Sequence, residues 1–102
     1  MRARRVDKNQ QEIVKALIAI GCTVADTSRS GEGFPDLVVG YRGQNYLIEI
    51  KDGNKSPSRR ALTPAQETFH NNWRGRVVIV KNADEAIQEV TEHFKAKLKA
   101  LK

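Results

Sequence analysis

The chain has 102 residues and a mass of 11.5 kDa, with 39% hydrophobic and 29% charged residues. This length and balance predict one soluble globular domain over residues 1–102, and they argue against a disordered or multi-domain chain. Lys and Arg number 18 against 12 Asp and Glu, which gives a formal charge of +6 and favours a polyanionic partner such as nucleic acid.

Cysteine usage and hydropathy exclude several further classes of protein. Cys22 is the only cysteine, which excludes an internal disulfide and a four-cysteine zinc site. Its neighbours Ile20 and Val24 indicate a small core residue. Residues 1–5 are basic but lead into no apolar segment, and no apolar run approaches the ~18 residues of a membrane span. The expected location is the cytoplasm, with no membrane partner and no nucleotide cofactor.

The first third of the chain predicts a helix, a strand and a polar loop. Residues 6–20 carry apolar side chains at helical spacing, and Gly21 follows as a stop. Residues 22–26 form a short strand candidate. The loop over residues 27–33 is small and contains glycine, and it lies just before Asp36. It is suited to approach a phosphate backbone, with Arg29 and Ser30 as candidate DNA contacts, although an ordinary connector has the same composition.

Two segments with apolar runs, residues 33–40 and 46–51, predict a β-hairpin. If Arg42 and Gly43 form a two-residue loop, Asp36 lies opposite Glu49, and both share a face of the sheet with Lys51. A longer loop would shift this register. Directly opposed carboxylates have Cβ atoms ~5 Å apart and destabilise a sheet unless something neutralises them. A divalent cation does so.

The segment after the hairpin is a basic loop followed by a clear helix start. Three cations in residues 52–61 are candidate phosphate contacts, with a solvated loop as the alternative; they are Lys55, Arg59 and Arg60. Thr63 as N-cap, Pro64 at the first helical position and Gln66 three residues after the cap form a capping box. On this helix Phe69 and Trp73 stand four residues apart, and we expect both to pack into the core.

The last third predicts a strand and a long helix. Residues 77–80 are a continuous apolar run, as expected of a strand buried on both faces. Asn82 caps the final helix, whose acidic start and lysine-rich end complement the helix dipole. Its apolar stripe comprises Ile87, Val90, Phe94, Leu98 and Leu101. The predicted order is αβββαβα, an α/β fold in which the last strand runs parallel to another strand.

The opposed carboxylates fit the needs of phosphodiester hydrolysis. Mg²⁺ prefers oxygen ligands and keeps several waters, so Asp36 and Glu49 suffice as anchors and the Ile50 carbonyl could add a neutral oxygen. Metal-bound water is a strong nucleophile. Lys51 can orient that water or stabilise the developing charge.

These residues give the chain a resemblance to the PD-(D/E)xK nuclease superfamily, through Pro35-Asp36 and then Glu49-x-Lys51. Together with Gly33-Phe34 and the Leu62-Thr63-Pro64-Ala65-Gln66 helix start, the pattern is most similar to the compact, phage-type VRR-NUC domain, and close to archaeal-type Holliday junction resolvases. The resemblance implies a restriction-endonuclease-like core with a mixed sheet flanked by helices. It also implies a Mg²⁺- or Mn²⁺-dependent DNA endonuclease in a phage or bacterial host cell.

The resemblance also implies a role for each site residue. Asp36, Glu49 and the Ile50 carbonyl would hold the metal ion, and Lys51 would be the catalytic lysine. Glu12 matches the first-helix glutamate that often completes the metal site, although a solvated helix residue is the simpler interpretation. Gln66 matches the family's helix glutamine, although the capping box alone explains it.

Stand-alone members of the family resemble structure-selective enzymes, so the expected partner is branched DNA such as a four-way junction, bound by a homodimer. The alternatives are a flap or nicking nuclease, the cleavage subunit of a restriction-type complex, and a non-catalytic DNA-binding module of the same fold. His70 and His93 lack metal-ligand spacing, and we expect both to be structural or exposed.

Overall fold

The computed structural model describes residues 8–54, 56–57 and 61–101, and it contains the predicted succession of helices and strands. The elements are α1 (Lys8–Ala19), β1 (Thr23–Asp26), β2 (Leu37–Tyr41), β3 (Gln44–Ile50), α2 (Pro64–Asn72), β4 (Val77–Val80) and α3 (Ala83–Ala100). The predicted αβββαβα order is therefore confirmed. The predicted beginning of the first helix falls on residues outside the described part.

The four strands form one mixed sheet in the order β1-β2-β3-β4, antiparallel except for the parallel pair β3 and β4. The β2–β3 hairpin has the predicted register, with Leu37 opposite Ile48 and Tyr41 opposite Gln44. Arg42 and Gly43 form its loop with φ values of 48° and 82°. Two successive positive φ values are those of a type I′ turn, whose twist matches that of the strands.

The core lies between one face of the sheet and the helices α1 and α3. Strand alternation turns one set of β2 and β3 side chains to this side, and the helices supply the rest. The fully buried core side chains are Ile13, Leu17, Leu37, Val39, Tyr46, Ile48, Val80, Ala86 and Val90. Cys22 is buried against the same cluster, as predicted. The core therefore fixes the strand register that sets the opposite face of the sheet.

Two predictions about burial are wrong. Residue Ile79 of β4 is 44% exposed, because β4 is an edge strand and its second face is only partly covered. Helix α2 has no buried residue, and Trp73 is 43% exposed rather than part of the core. Phe69 and Trp73 instead pack on each other at the surface.

Both downstream helices begin as predicted. The Thr63 hydroxyl accepts from the Gln66 N–H, and the Thr63 N–H donates to Oε1 of Gln66, which completes the capping box. The Asn82 side chain accepts from the Glu85 N–H and caps α3. Among the described residues, no helix has the length and apolar character needed to cross a membrane.

Candidate active site

Asp36 and Glu49 lie at the end of the hairpin that is remote from its turn. Asp36 directly precedes β2, and its Oδ2 accepts a 2.8 Å hydrogen bond from the N–H of Ile50. The β2 ladder ends at Leu37, so the Asp36 side chain provides a partner for a backbone donor beyond the ladder. This bond fixes the Asp36 carboxylate beside the last residues of β3.

Glu49 is a buried carboxylate with one satisfied oxygen. Glu49 is only 2% exposed. Its Oε2 accepts a 3.0 Å hydrogen bond from Nε2 of Gln66 and lies 3.9 Å from Nζ of Lys51. Its Oε1 is buried and has no hydrogen-bond donor among the described residues. Burial, with the charge of Asp36 adding to it and that of Lys51 opposing, raises the pKa of Glu49 to about 8.

Helix α2 reaches Glu49 because its first turn packs closely on the loop before β2. Gly33 has a φ of 81°, and a Cβ atom built there would lie 2.3 Å from the carbonyl oxygen of Ala65. No L side chain fits at that distance, so the close approach requires glycine. This contact positions the first turn of α2 so that the Gln66 side chain reaches the Glu49 carboxylate.

The loop between β1 and β2 is tied to the backbone on both sides of Asp36. Thr27 donates its N–H to the Asp36 carbonyl and its hydroxyl to the Pro35 carbonyl, both at 2.8 Å. Arg29 and Ser30 are exposed on this loop, where the Ser30 N–H donates to the Thr27 carbonyl. They are thus available to a ligand near Asp36.

Glu12 is not gathered into the same group. It is exposed on α1 and lines a polar cleft with Asp52, Lys81, Asn82 and Glu85. Asp52 follows Lys51 directly in the chain, so this cleft adjoins the end of β3. The basic residues Lys55, Arg59 and Arg60 lie outside the described residues, and their predicted DNA contacts stay predictions.

The donor set fits a divalent cation. Among the described residues no three acidic, His or Cys side chains lie close enough to hold a metal ion. Two carboxylates nevertheless suffice for Mg²⁺, which keeps several water ligands. The unsatisfied Oε1 of Glu49 is a ready ligand. The N–H and carbonyl of one strand residue point to the same neighbouring strand, so we expect the Ile50 carbonyl to face Asp36 as its N–H does.

His70, which the sequence indicates only as a structural or exposed residue, lies near the site in the structure. It lies four residues after Gln66 and therefore on the same face of α2. Its Nε2 is buried without a hydrogen-bond partner in the described part of the chain. Burial lowers the pKa of His70, and the positive charge of Lys51 lowers that pKa further. The helical spacing from Gln66 was the available signal.

One of three comparisons with known proteins found a similar protein, and it agrees with the fold described above. No family model matches the sequence, and no curated protein is significantly similar to it. A solved structure described as a VRR_NUC domain is similar, with a TM-score of 0.62, 28% sequence identity, and coverage of 85% of this chain and 94% of that chain. The four-stranded mixed sheet with flanking helices is likewise the restriction-endonuclease-like arrangement. This similarity over most of both chains supports a nuclease domain that resembles VRR-NUC and the PD-(D/E)xK type.

Proposed function

We propose that the chain is a Mg²⁺- or Mn²⁺-dependent endonuclease that hydrolyses phosphodiester bonds in DNA. The observation that carries the proposal is the buried Glu49 carboxyl, whose Oε1 has no donor among the described residues and whose pKa is raised to about 8. An acid placed beside Asp36 at this cost is poorly explained by stability alone. A cation held by the two carboxylates would remove the unfavourable free energy of burying Glu49 beside Asp36.

Each residue of the group has a distinct part in this proposal. Asp36 and Glu49, with the Ile50 carbonyl, hold the metal ion, which when bound lowers the pKa of water and neutralises phosphate charge. Gln66 fixes the orientation of Glu49 through the 3.0 Å hydrogen bond. Lys51 has a side chain only 13% exposed, which keeps its positive charge close to the Glu49 carboxylate and the reacting phosphate.

The substrate is proposed to be branched DNA. The formal charge of +6 favours a polyanion. Five side chains are proposed as DNA contacts, namely Arg29, Ser30, Lys55, Arg59 and Arg60. The alternatives are a flap or nicking nuclease, the cleavage subunit of a restriction-type complex, and a non-catalytic DNA-binding module of the same fold. The proposed location is the cytoplasm of a phage host or other bacterium.

A homodimer is proposed because a four-way junction needs two incisions and two-fold symmetry supplies both active sites. Exposed apolar side chains near the end of α3 support it, since Leu98 is 48% and Leu101 79% exposed. Sedimentation equilibrium with and without junction DNA measures the assembly. If the protein is a monomer under both conditions, the proposal of a junction-resolving enzyme is refuted, and a flap or nicking nuclease takes its place.

Cleavage assays test the nuclease proposal directly. Labelled duplex, flap, single-stranded and four-way-junction DNA are incubated with the protein and Mg²⁺ or Mn²⁺, and with EDTA as the metal-free control. We expect metal-dependent cleavage that favours branched DNA. Asp36→Asn should abolish cleavage while remaining folded, because an amide oxygen can still accept from the Ile50 N–H. Normal cleavage by that variant would refute the assigned site.

A further inference from the structure

An aromatic cluster lies at the C-terminal end of α2, next to the loop that carries Asp36. The Phe69 ring stacks on the Trp73 indole, with centroids 5.1 Å apart and an interplanar angle of 16°. Phe34 meets Phe69 edge-on at 5.2 Å. Phe34 is two residues before Asp36 in the chain, so the cluster and the candidate active site share one loop.

Trp73 is fixed in place and yet open to a ligand. Its side chain is 43% exposed. The Phe69 ring supports it, and the Gly75 backbone lies so close that a Cβ there would be 2.8 Å from the indole Nε1. An aromatic side chain that packing already holds still loses little conformational entropy when it binds a partner.

The charge beside Trp73 favours nucleic acid over a second copy of this chain. Arg74 is the next residue, is exposed, and makes no salt bridge within the described part of the chain. A second copy would bring its own charge of +6 to this cation, whereas a phosphate would neutralise it. Aromatic faces beside cations are the usual means of holding unpaired bases.

The helix sets the distance between this cluster and the reacting group. Trp73 follows Gln66 by seven residues, which is close to two helical turns, so both lie on one face and about 10 Å apart along the axis. Stacked nucleotides advance by about 3.4 Å along a strand. A strand that runs along α2 would therefore place the indole about three nucleotides from a phosphate held at Glu49.

We propose that Phe69, Trp73 and Arg74 form a subsite for an unpaired nucleotide about three positions from the scissile phosphate. The indole stacks on the base and the guanidinium contacts the adjoining phosphate. The subsite rests on the proposed nuclease function, and it directs cleavage to places where a duplex adjoins a single strand.

Trp73 is the only tryptophan in the sequence, so its fluorescence reports on stacking directly. The full chain, in EDTA to prevent cleavage, is titrated with a blunt duplex and with the same duplex bearing a short single-stranded extension. We expect the extension to quench the fluorescence and the blunt duplex to leave it unchanged. Trp73→Ala should weaken binding of the extended DNA about tenfold, with blunt-duplex affinity unaltered.

Two further variants keep the test decisive if Trp73→Ala does not fold. Trp73→Phe retains an aromatic face and should keep most of the preference for extended DNA. Arg74→Gln should reduce the salt dependence of binding by about one unit of log–log slope. Equal binding of both DNAs by the wild type would overturn the subsite.

Three other outcomes distinguish the subsite from a protein–protein interface and from the nuclease function itself. A fluorescence change that follows protein concentration without DNA would overturn it in favour of an interface between copies of this chain. Quenching by extended DNA from a wild type that cleaves no DNA with Mg²⁺ or Mn²⁺ would support the subsite and refute the nuclease. Metal-dependent cleavage without any quenching would support the nuclease and refute the subsite.

Discussion

The side chain of Gln66 joins the start of α2 to the end of β3, because its Nε2 donates to Oε2 of Glu49 at 3.0 Å. Its Oε1 meanwhile accepts the Thr63 N–H at 2.9 Å and completes the capping box. One carboxamide therefore serves both interactions, each through a different atom. The position of Glu49 is coupled in this way to the first turn of a helix with no buried residue of its own.

The two uses of this carboxamide can be separated by mutation. Gln66→Ala removes the hydrogen bond to Glu49 together with half of the capping box. Thr63→Ala removes only the hydroxyl cap, at a cost of ~1 kcal/mol, and leaves Gln66 to contact Glu49. We expect cleavage to fall at least about tenfold in Gln66→Ala and less than about twofold in Thr63→Ala, since a lost charge-assisted hydrogen bond misplaces the Glu49 carboxylate.

The test compares the cleavage rates of both variants at a temperature where circular dichroism shows both to be folded. It shows whether Gln66 acts through Glu49 or only through the helix start. Equal losses in the two variants would mean that Gln66 acts only through the helix start.

The raised pKa of Glu49 predicts how stability depends on pH without metal. Its pKa is about 8 in the folded protein, against an ordinary value of 4.5. Between these values the unfolded chain releases the proton and the folded chain keeps it. The free energy of unfolding should therefore fall as the pH rises from about 4.5 to about 8. Urea denaturation in EDTA across this range measures it.

Glu49→Gln is the matched control, because its amide stays neutral at every pH and can still accept from Gln66. The variant should gain stability relative to the wild type as the pH rises, and it should not cleave DNA. A stability difference that stays constant from pH 5 to pH 8.5 would show that Glu49 is not buried in its protonated form.

Local patterns were enough to predict the hairpin and the helix starts. The Arg42–Gly43 loop follows from strand alternation and a glycine, and the Thr63 capping box from four consecutive residues. Burial at the sheet edge was not predictable in this way. A run of apolar residues describes composition, whereas the exposure of Ile79 depends on β4 being last in the sheet.

In the candidate site, too, local patterns predict some features, whereas others depend on how the elements pack together. The pairing of Asp36 with Glu49 follows from the hairpin register, so the sequence alone predicts that the two carboxylates face each other. The contribution of Gly33 depends on how closely α2 approaches the loop, and sequence spacing carries no such distance. The sequence indicates His70 only as a structural or exposed residue, because no ligand spacing marks it; its place near the site depends on how α2 packs.

Thr27 is expected to contribute to activity through the position of Asp36. Its hydroxyl donates to the Pro35 carbonyl at 2.8 Å. Thr27→Val keeps the side-chain shape and removes this donor, which should cost ~1 kcal/mol of stability and lower the cleavage rate several-fold. Thr23→Val, on exposed β1, is the control and should leave the rate unchanged. Unaltered cleavage by Thr27→Val would show that the loop does not position Asp36.

Gly33 should be the most sensitive glycine of the loop between β1 and β2. Gly31 and Gly33 have similar φ values of 76° and 81°, so alanine at either position pays the same ~1 kcal/mol for a left-handed conformation. Only at Gly33 does the added Cβ meet backbone, 2.3 Å from the Ala65 oxygen, while nothing lies within 4 Å of it at Gly31. Overpacking of this kind adds on the order of 1–3 kcal/mol and here displaces the first turn of α2. We expect Gly33→Ala to unfold at lower urea concentration than Gly31→Ala and to lose most cleavage activity, since Gln66 moves with the turn. If the two variants matched in stability and rate, α2 would not depend on this contact for its position over Glu49.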